Sequence, residues 1–147
     1  MADANMAGFN ASPDKSIAVT FHALVPKETW KWESNTIMTM RFGHFRLGKW
    51  SRDVGVFEEY RDLGELGLVE MRCTLNFDVD LLKFESPAAY KYLIYAPQSG
   101  QRPTSQAYEY LHNAPSHGNG IINRCLVIPR DYCKAKGITI MVCVHEH

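Results

Sequence analysis

Strict alternation of apolar and polar side chains is the feature of this chain that leaves the fewest folds open. Between positions 68 and 77, Val69, Met71, Cys73, Leu75 and Phe77 alternate with Glu70, Arg72, Thr74 and Asn76. A period of two is that of a β-strand with one buried face and one wet face. Positions 17–25 do the same, with Ile17, Val19, Phe21, Ala23 and Val25 on one side and Ala18, Thr20, His22 and Leu24 on the other. Further strands are predicted at 36–42, 55–59, 89–95, 107–112, 121–128 and 138–145.

Turn-forming residues punctuate these runs: Pro97, Gly100 and Pro103 in one gap, Pro115, Gly118 and Gly120 in the next. Glycine supplies positive φ there and proline withdraws an amide donor. Only 79–83 and 131–136 leave room for a helical turn, the second with Gly137 as its terminator. Seven to eight short strands with almost no helix make an all-β antiparallel sandwich or barrel, because the gaps accommodate no parallel crossover unit, and the expected form is an immunoglobulin-like β-sandwich. At 147 residues the chain suits one domain, over 15–147, large enough to bury a core without disulfide staples. Positions 1–14, rich in Ala, Asn and Asp, are expected to form a disordered leader.

Charge and cysteine usage narrow the function. Basic and acidic side chains balance at 16 each, so no positive field is available to hold a phosphate backbone, and nucleic acid is not an expected partner. No apolar run is long enough to span a membrane or to act as an export signal. Cys73, Cys125, Cys133 and Cys143 lie in or beside strand-like runs without CxxC pairing, which reads as a reduced, cytoplasmic chain. His112, His117, Cys125, Cys133, His145 and His147 match no zinc spacing and read as surface imidazoles and core thiols. Neither a GxSxG elbow nor a phosphate-cradling glycine loop occurs, and the adjacent carboxylates Glu58–Glu59 and Asp78/Asp80 read as solvated charges. The expectation is a chain that binds without catalysing, using no cofactor and no metal.

Aromatic residues make up 12% of the chain, enough to ask whether some rings lie outside the core. Leu47-Gly48-Lys49-Trp50 places an indole just after a turn that Gly48 permits. In Tyr90-Lys91-Tyr92 alternation puts both phenols on one face and Lys91 on the other. Tyr108-Glu109-Tyr110 and Asn123-Arg124 add rings beside donors and acceptors. That mixture suits a sugar: a flat ring takes the apolar C–H face of a pyranose, and polar groups replace the water lost by its hydroxyls. Each ring alone is more often a packing residue than a ligand platform.

The order of these segments resembles that of the starch-binding modules of carbohydrate-binding family twenty. An opening strand like Val19-Thr20-Phe21, a glycine such as Gly43 in the second strand, a Leu-Gly-x-Trp turn, a Tyr-Lys-Tyr strand, an aromatic-Glu segment and an Asn-Arg pair follow one another over 17–129. The resemblance implies an α-glucan ligand of the starch or glycogen type. Trp50 would be the first stacking platform, Lys91 a hydroxyl donor, Tyr108 a replacement for the family's second tryptophan, with Tyr110 as its alternative, and Glu109 and Asn123 polar partners. A second family site, in the loop after the first strand, would fall on Trp30 and Trp32 within Glu28-Thr29-Trp30-Lys31-Trp32-Glu33. Through Asp62-Leu63-Gly64-Glu65-Leu66-Gly67, Tyr90-Lys91-Tyr92-Leu93-Ile94-Tyr95 and Tyr108-Glu109-Tyr110 the likeness extends to such a module within a giant ring-finger AAA+ ubiquitin ligase. That implies a targeting domain, with other domains of a parent chain as further partners. The rival expectation is a protein-interaction β-sandwich that kept the fold and lost the sugar.

Overall fold

The computed structural model describes residues 16–30, 34–78, 88–97, 123–127 and 137–143. Its two longest strands are the two strictly alternating runs, β1 (Ser16–Pro26) and β4 (Leu68–Asp78). They pair antiparallel along their whole length, from Ser16↔Asp78 to Pro26↔Leu68. The register sets Ile17 opposite Phe77, Val19 opposite Leu75 and Phe21 opposite Cys73, all buried. A slip of one residue would turn one strand's apolar set to water, so the side-chain pattern itself fixes the pairing.

Strand β2 (Ile37–Phe42) is followed by β3 (Glu58–Leu63), and β5 (Ala88–Tyr95), β6 (Arg124–Leu126) and β7 (Gly137–Cys143) follow β4. They form a four-stranded sheet in the order β3-β4-β1-β7 and a three-stranded sheet in the order β2-β5-β6. The chain is thus mostly antiparallel β-structure in two sheets. One buried cluster takes inward residues from both, including Val19, Phe21 and Met71 from the first and Met38, Phe42 and Tyr92 from the second. Edge-to-face ring pairs join the sheets, Phe21 with Tyr90 at 5.5 Å and Phe42 with Phe77 at 5.7 Å between centroids, an arrangement that sets positive ring edges against negative ring faces.

The structure departs from the alternation pattern at several points. β7 runs parallel to β1, from Ala18↔Gly137 to Leu24↔Cys143, not antiparallel; first and last strands have the most intervening chain, which a parallel return requires. Of the run expected at 55–59, Val56 makes a single bridge to Thr39, and the strand proper is β3, all but one of whose side chains are exposed. A bulge between Glu59 and Arg61 leaves Tyr60 as the extra residue, so β3 carries no period of two for a sequence to display. Positions 27–30 form a helical turn, α1 (Lys27–Trp30). There the Lys27 amide donates to the Gly67 carbonyl at 2.9 Å, and Trp30 closes the turn. Of the run expected at 121–128, the described residues hold β6. The predicted segments at 1–14, 79–83, 107–112 and 131–136 lie outside the described residues. Among the described residues no helix is long and apolar enough to cross a membrane.

Glu70 faces the outer side of β4 and is nevertheless only 2% exposed. It accepts from Arg61 Nε at 3.0 Å and pairs with Arg61 Nη2 at 2.8 Å and His22 Nδ1 at 3.2 Å, the multiple pairing that a buried carboxylate needs. The bulged Tyr60 meets His22 edge-on at 5.4 Å, with the Arg72 guanidinium 4.7 Å above its ring.

The two described free thiols differ in environment: Cys73 is buried and Cys125 exposed, so Cys125 is not the core thiol its sequence context suggests. Burial first, and the Glu58 charge second, push the Cys73 thiol up to about 11. Since the thiolate is the nucleophile, iodoacetamide at about pH 8 should label Cys125 in the native protein and spare Cys73. Peptide mapping by mass spectrometry checks this; equal labelling of both would contradict the assigned burial.

Candidate ligand-binding site

The chain leaves β2 through Gly43 and makes a tight turn, Phe45–Leu47, between a His44 cap and Gly48. His44 Nδ1 accepts from the Arg46 amide at 3.1 Å, and Leu47, 1% exposed, plugs the turn into the core. Gly48 has φ 117°, and the next two residues are also left-handed, Lys49 at 50° and Trp50 at 62°. For non-glycine residues that conformation costs about 1–2 kcal/mol each, so the turn has to be held. The Lys49 amide donates to the His44 carbonyl at 3.0 Å, the Trp50 amide to the Phe42 carbonyl at 2.8 Å, and Arg41 Nη1 to the Trp50 carbonyl at 3.0 Å. An aromatic residue kept in a rarely adopted conformation by this many bonds is the kind of outlier that marks a functional position.

The indole is half-buried, and Gly43 explains how it lies. A β-carbon added at Gly43 would stand 2.8 Å from Trp50 Cζ2 and 2.9 Å from both Cε2 and Nε1. These distances set Gly43 against the Nε1–Cε2–Cζ2 rim of the indole, closer than a side chain would allow. The indole therefore lies against Gly43 with no room between them for a β-carbon. Gly43→Ala should push the indole off this seat, because 2.8 Å is closer than carbon atoms pack. A displaced Trp50 indole N–H resonance with little change elsewhere is the expected NMR result; an unmoved resonance would contradict the seating.

Register places the other groups. Tyr90 and Tyr92 are buried, so Lys91 points outward, on the face of the three-stranded sheet away from the core. Its cross-strand partner is Arg41, whose guanidinium holds the Trp50 turn. On the other side of β5, Tyr90 pairs with Arg124, and one further step in that antiparallel register sets Asn123 opposite Lys91. Leu126 is buried, which by alternation turns Arg124 inward and Asn123 and Cys125 outward. The Trp50 turn, Arg41, Lys91 and Asn123 thus form one row across the outer face.

Asp53 completes this face. Its Oδ1 accepts from Arg41 Nε at 2.8 Å, and its Oδ2 takes the Tyr95 hydroxyl. Arg41 and Lys91 are like charges directly opposite one another, an unfavourable pair that the Asp53 carboxylate offsets.

Of the residues expected from sequence, the structure brings Trp50, Lys91 and Asn123 to this one face. Tyr108, Glu109 and Tyr110 lie outside the described residues, as does Trp32. Trp30 packs against the core cluster and donates its indole N–H to Glu59 Oε1 at 2.6 Å, so that ring is engaged in holding α1 to β3. Sequence reasoning missed Arg41, Asp53 and Tyr95. Tyr95 was legible, since it lies four residues after Lys91 on the same face of a strand; Asp53 carried no local signal, because its bond to Tyr95 closes a loop of 42 residues. Among the described residues no group of three or more His, Cys, Asp or Glu side chains is placed to hold a metal ion. Comparisons with protein-family models, with curated proteins and with solved structures found no match.

Proposed function

We propose that this chain is a non-catalytic binding module for α-glucan-type carbohydrate, built as an immunoglobulin-like, starch-binding-domain-like sandwich. The observation that carries the reading is the seating of Trp50: an indole on a left-handed, firmly bonded turn, set against Gly43 and in line with Lys91 and Asn123 on the outer face. A pyranose stacked on the indole would place its hydroxyls towards the Lys91 ammonium and the Asn123 amide. Tyr108, Glu109 and Tyr110 would complete the site as a second platform and its polar partner. On its sequence segments the module resembles the carbohydrate-binding-like domain of mysterin, the giant ring-finger AAA+ ubiquitin ligase. In that setting it would be a cytoplasmic targeting domain, with ligase and ATPase chemistry carried elsewhere in the parent.

Covering about 100 Å² of apolar ring surface is worth roughly 2–3 kcal/mol, so two platforms and a few hydrogen bonds give a dissociation constant on the order of 0.1–1 mM. Titration of the intact chain with maltoheptaose or β-cyclodextrin, followed by tryptophan fluorescence, should saturate in that range. A flat titration through millimolar ligand would remove the reading.

One observation favours a second function, a protein-docking β-sandwich. Tyr60 stands 50% exposed on the other sheet, flanked by His22 and Arg72, and aromatic rings beside arginine are typical of protein-interface anchors. If docking is the function, Tyr60→Ala will weaken association with other domains of a parent chain and leave glucan titrations unchanged.

A further inference from the structure

We propose that Tyr60 is a phosphorylation site of the folded chain: a tyrosine kinase with a basic peptide groove modifies its hydroxyl, and the arginines beside the ring, Arg72 above all, then hold the phosphate on the outer surface of the four-stranded sheet. The site shares no residue with the Trp50 face and does not depend on the glucan reading.

Of the tyrosines among the described residues, Tyr90 and Tyr92 are 3% and 0% exposed, and Tyr95 gives its hydroxyl to Asp53. Tyr60 is 50% exposed, and its contacts run through its ring, to His22, Arg61 and Arg72, not through its hydroxyl. Its backbone is equally untied. The register steps from Glu59↔Met71 to Arg61↔Glu70 and leaves Tyr60 without a partner on β4, and the extra residue of a bulge stands outside the ladder. Among the described residues β3 is also the edge strand of its sheet, so an enzyme can approach the ring from the side, along a segment that is already extended. Kinases choose substrates in part by charge pattern. Glu58 and Glu59 directly precede the tyrosine and are both exposed, which calls for cations in the groove that receives them.

In the transfer the phenolic oxygen bonds to the γ-phosphorus of ATP, the bond from that phosphorus to the β,γ-bridging oxygen breaks, ADP leaves with the electron pair, and the phenolic proton passes to the base of the kinase. The product carries a charge of about −1.5 to −2 and three strong acceptor oxygens. It arrives beside two cations, the guanidinium of Arg72 at 4.7 Å and that of Arg61 at 6.0 Å from the ring centroid. They are not equally available. Arg61 is committed to Glu70, whose side chain is 3% exposed, and stripping it away would leave a buried charge uncompensated. Arg72 pairs with Glu58 at 3.2 Å, their side chains 44% and 68% exposed, and an exposed ion pair of this kind contributes little. The phosphate offers Arg72 more charge and a bidentate partner, so Arg72 exchanges Glu58 for it while Arg61 stays on Glu70. Two neighbouring carboxylates are engaged elsewhere, Glu59 with the Trp30 indole N–H at 2.6 Å and Asp62 with Lys27 at 2.9 Å. Modification therefore changes the surface of the sheet and leaves its buried pairs in place.

The test incubates the intact wild-type chain, its Tyr60→Phe variant and a synthetic peptide of residues 54–66 with a broad-specificity tyrosine-kinase domain, Mg²⁺ and ATP, and maps phosphate by mass spectrometry. Because no unfolding is needed, the native chain should be modified at Tyr60 at a rate within about tenfold of the peptide, whereas a tyrosine reached only through the unfolded chain would react about a thousandfold more slowly or less, in proportion to the unfolded fraction. Tyr60→Phe should lose that phosphopeptide. The slow result, or no phosphate on Tyr60 in either the chain or the peptide, overturns the proposal. Phosphorus NMR then reads the clamp. A guanidinium beside the phosphate favours its dianion, so phosphorylated Tyr60 should titrate at lower pH in the folded chain than in the phosphopeptide, and Arg72→Gln should move the titration back towards that of the peptide. A folded phosphoprotein that titrates as the peptide does would overturn the part assigned to Arg72.

Discussion

Phe42→Ala is expected to destabilise the fold by about 3–5 kcal/mol, the usual cost of emptying a buried aromatic site. Phe42 is 0% exposed and touches the Phe77 ring at 5.7 Å and the Tyr90 ring at 5.4 Å, so its removal opens a cavity where the two sheets meet. A domain of ordinary stability has about 5–15 kcal/mol in all, so the variant should unfold at a much lower urea concentration with little change in the slope of the transition. The loss should also reach the site, since the Phe42 carbonyl accepts the Trp50 amide. A midpoint close to that of the wild type would mean that the ring contacts joining the sheets are not as described.

Trp50→Ala should have the opposite profile, with a large effect on binding and a small one on stability. The indole is only half-buried. Losing the stacking surface should cost about 2 kcal/mol, roughly a thirtyfold weakening, which carries a submillimolar complex out of the measurable range. Calorimetric titration with maltoheptaose reads the binding, and urea unfolding of the same sample reads the fold. Undiminished affinity in a folded Trp50→Ala protein would place any glucan site elsewhere.

How much of this was legible in the sequence depends on where each residue finds its partners. β1 and β4 could be read outright, because Ile17 to Val25 and Val69 to Phe77 bury one face along their whole length and a period of two has no other economical explanation. β3 could not: as a strand of exposed charge with Tyr60 bulged out, it has no buried face to leave a pattern. The parallel placement of β7 is a fact of chain routing, which local alternation does not encode. Glu70 reads as a wet position and is buried, since the groups that satisfy it, His22 and Arg61, come from two other strands.

The site divides in the same way. Gly48 announced the turn that carries Trp50, and alternation around Tyr90 and Tyr92 turned Lys91 outward, both from neighbours a residue or two away. The supports of that site are long-range. Gly43 serves as the seat of the indole through its missing β-carbon, and Asp53 ties Arg41 to Tyr95 across separate segments. Trp30 shows the converse hazard: an aromatic that looks like a platform in sequence turned out to be bonded to Glu59 and packed on the core.

The most direct measurement is a two-dimensional amide and indole NMR titration of the intact chain with β-cyclodextrin, taken to about 5 mM so as to exceed a submillimolar dissociation constant several-fold. Binding at the outer face of the three-stranded sheet will move the Trp50 indole resonance and the backbone amides of Lys91 and Asn123, and leave those of His22, Tyr60 and Arg61 on the other sheet in place. Resonances that all stay still, or that shift only around Tyr60, would contradict it.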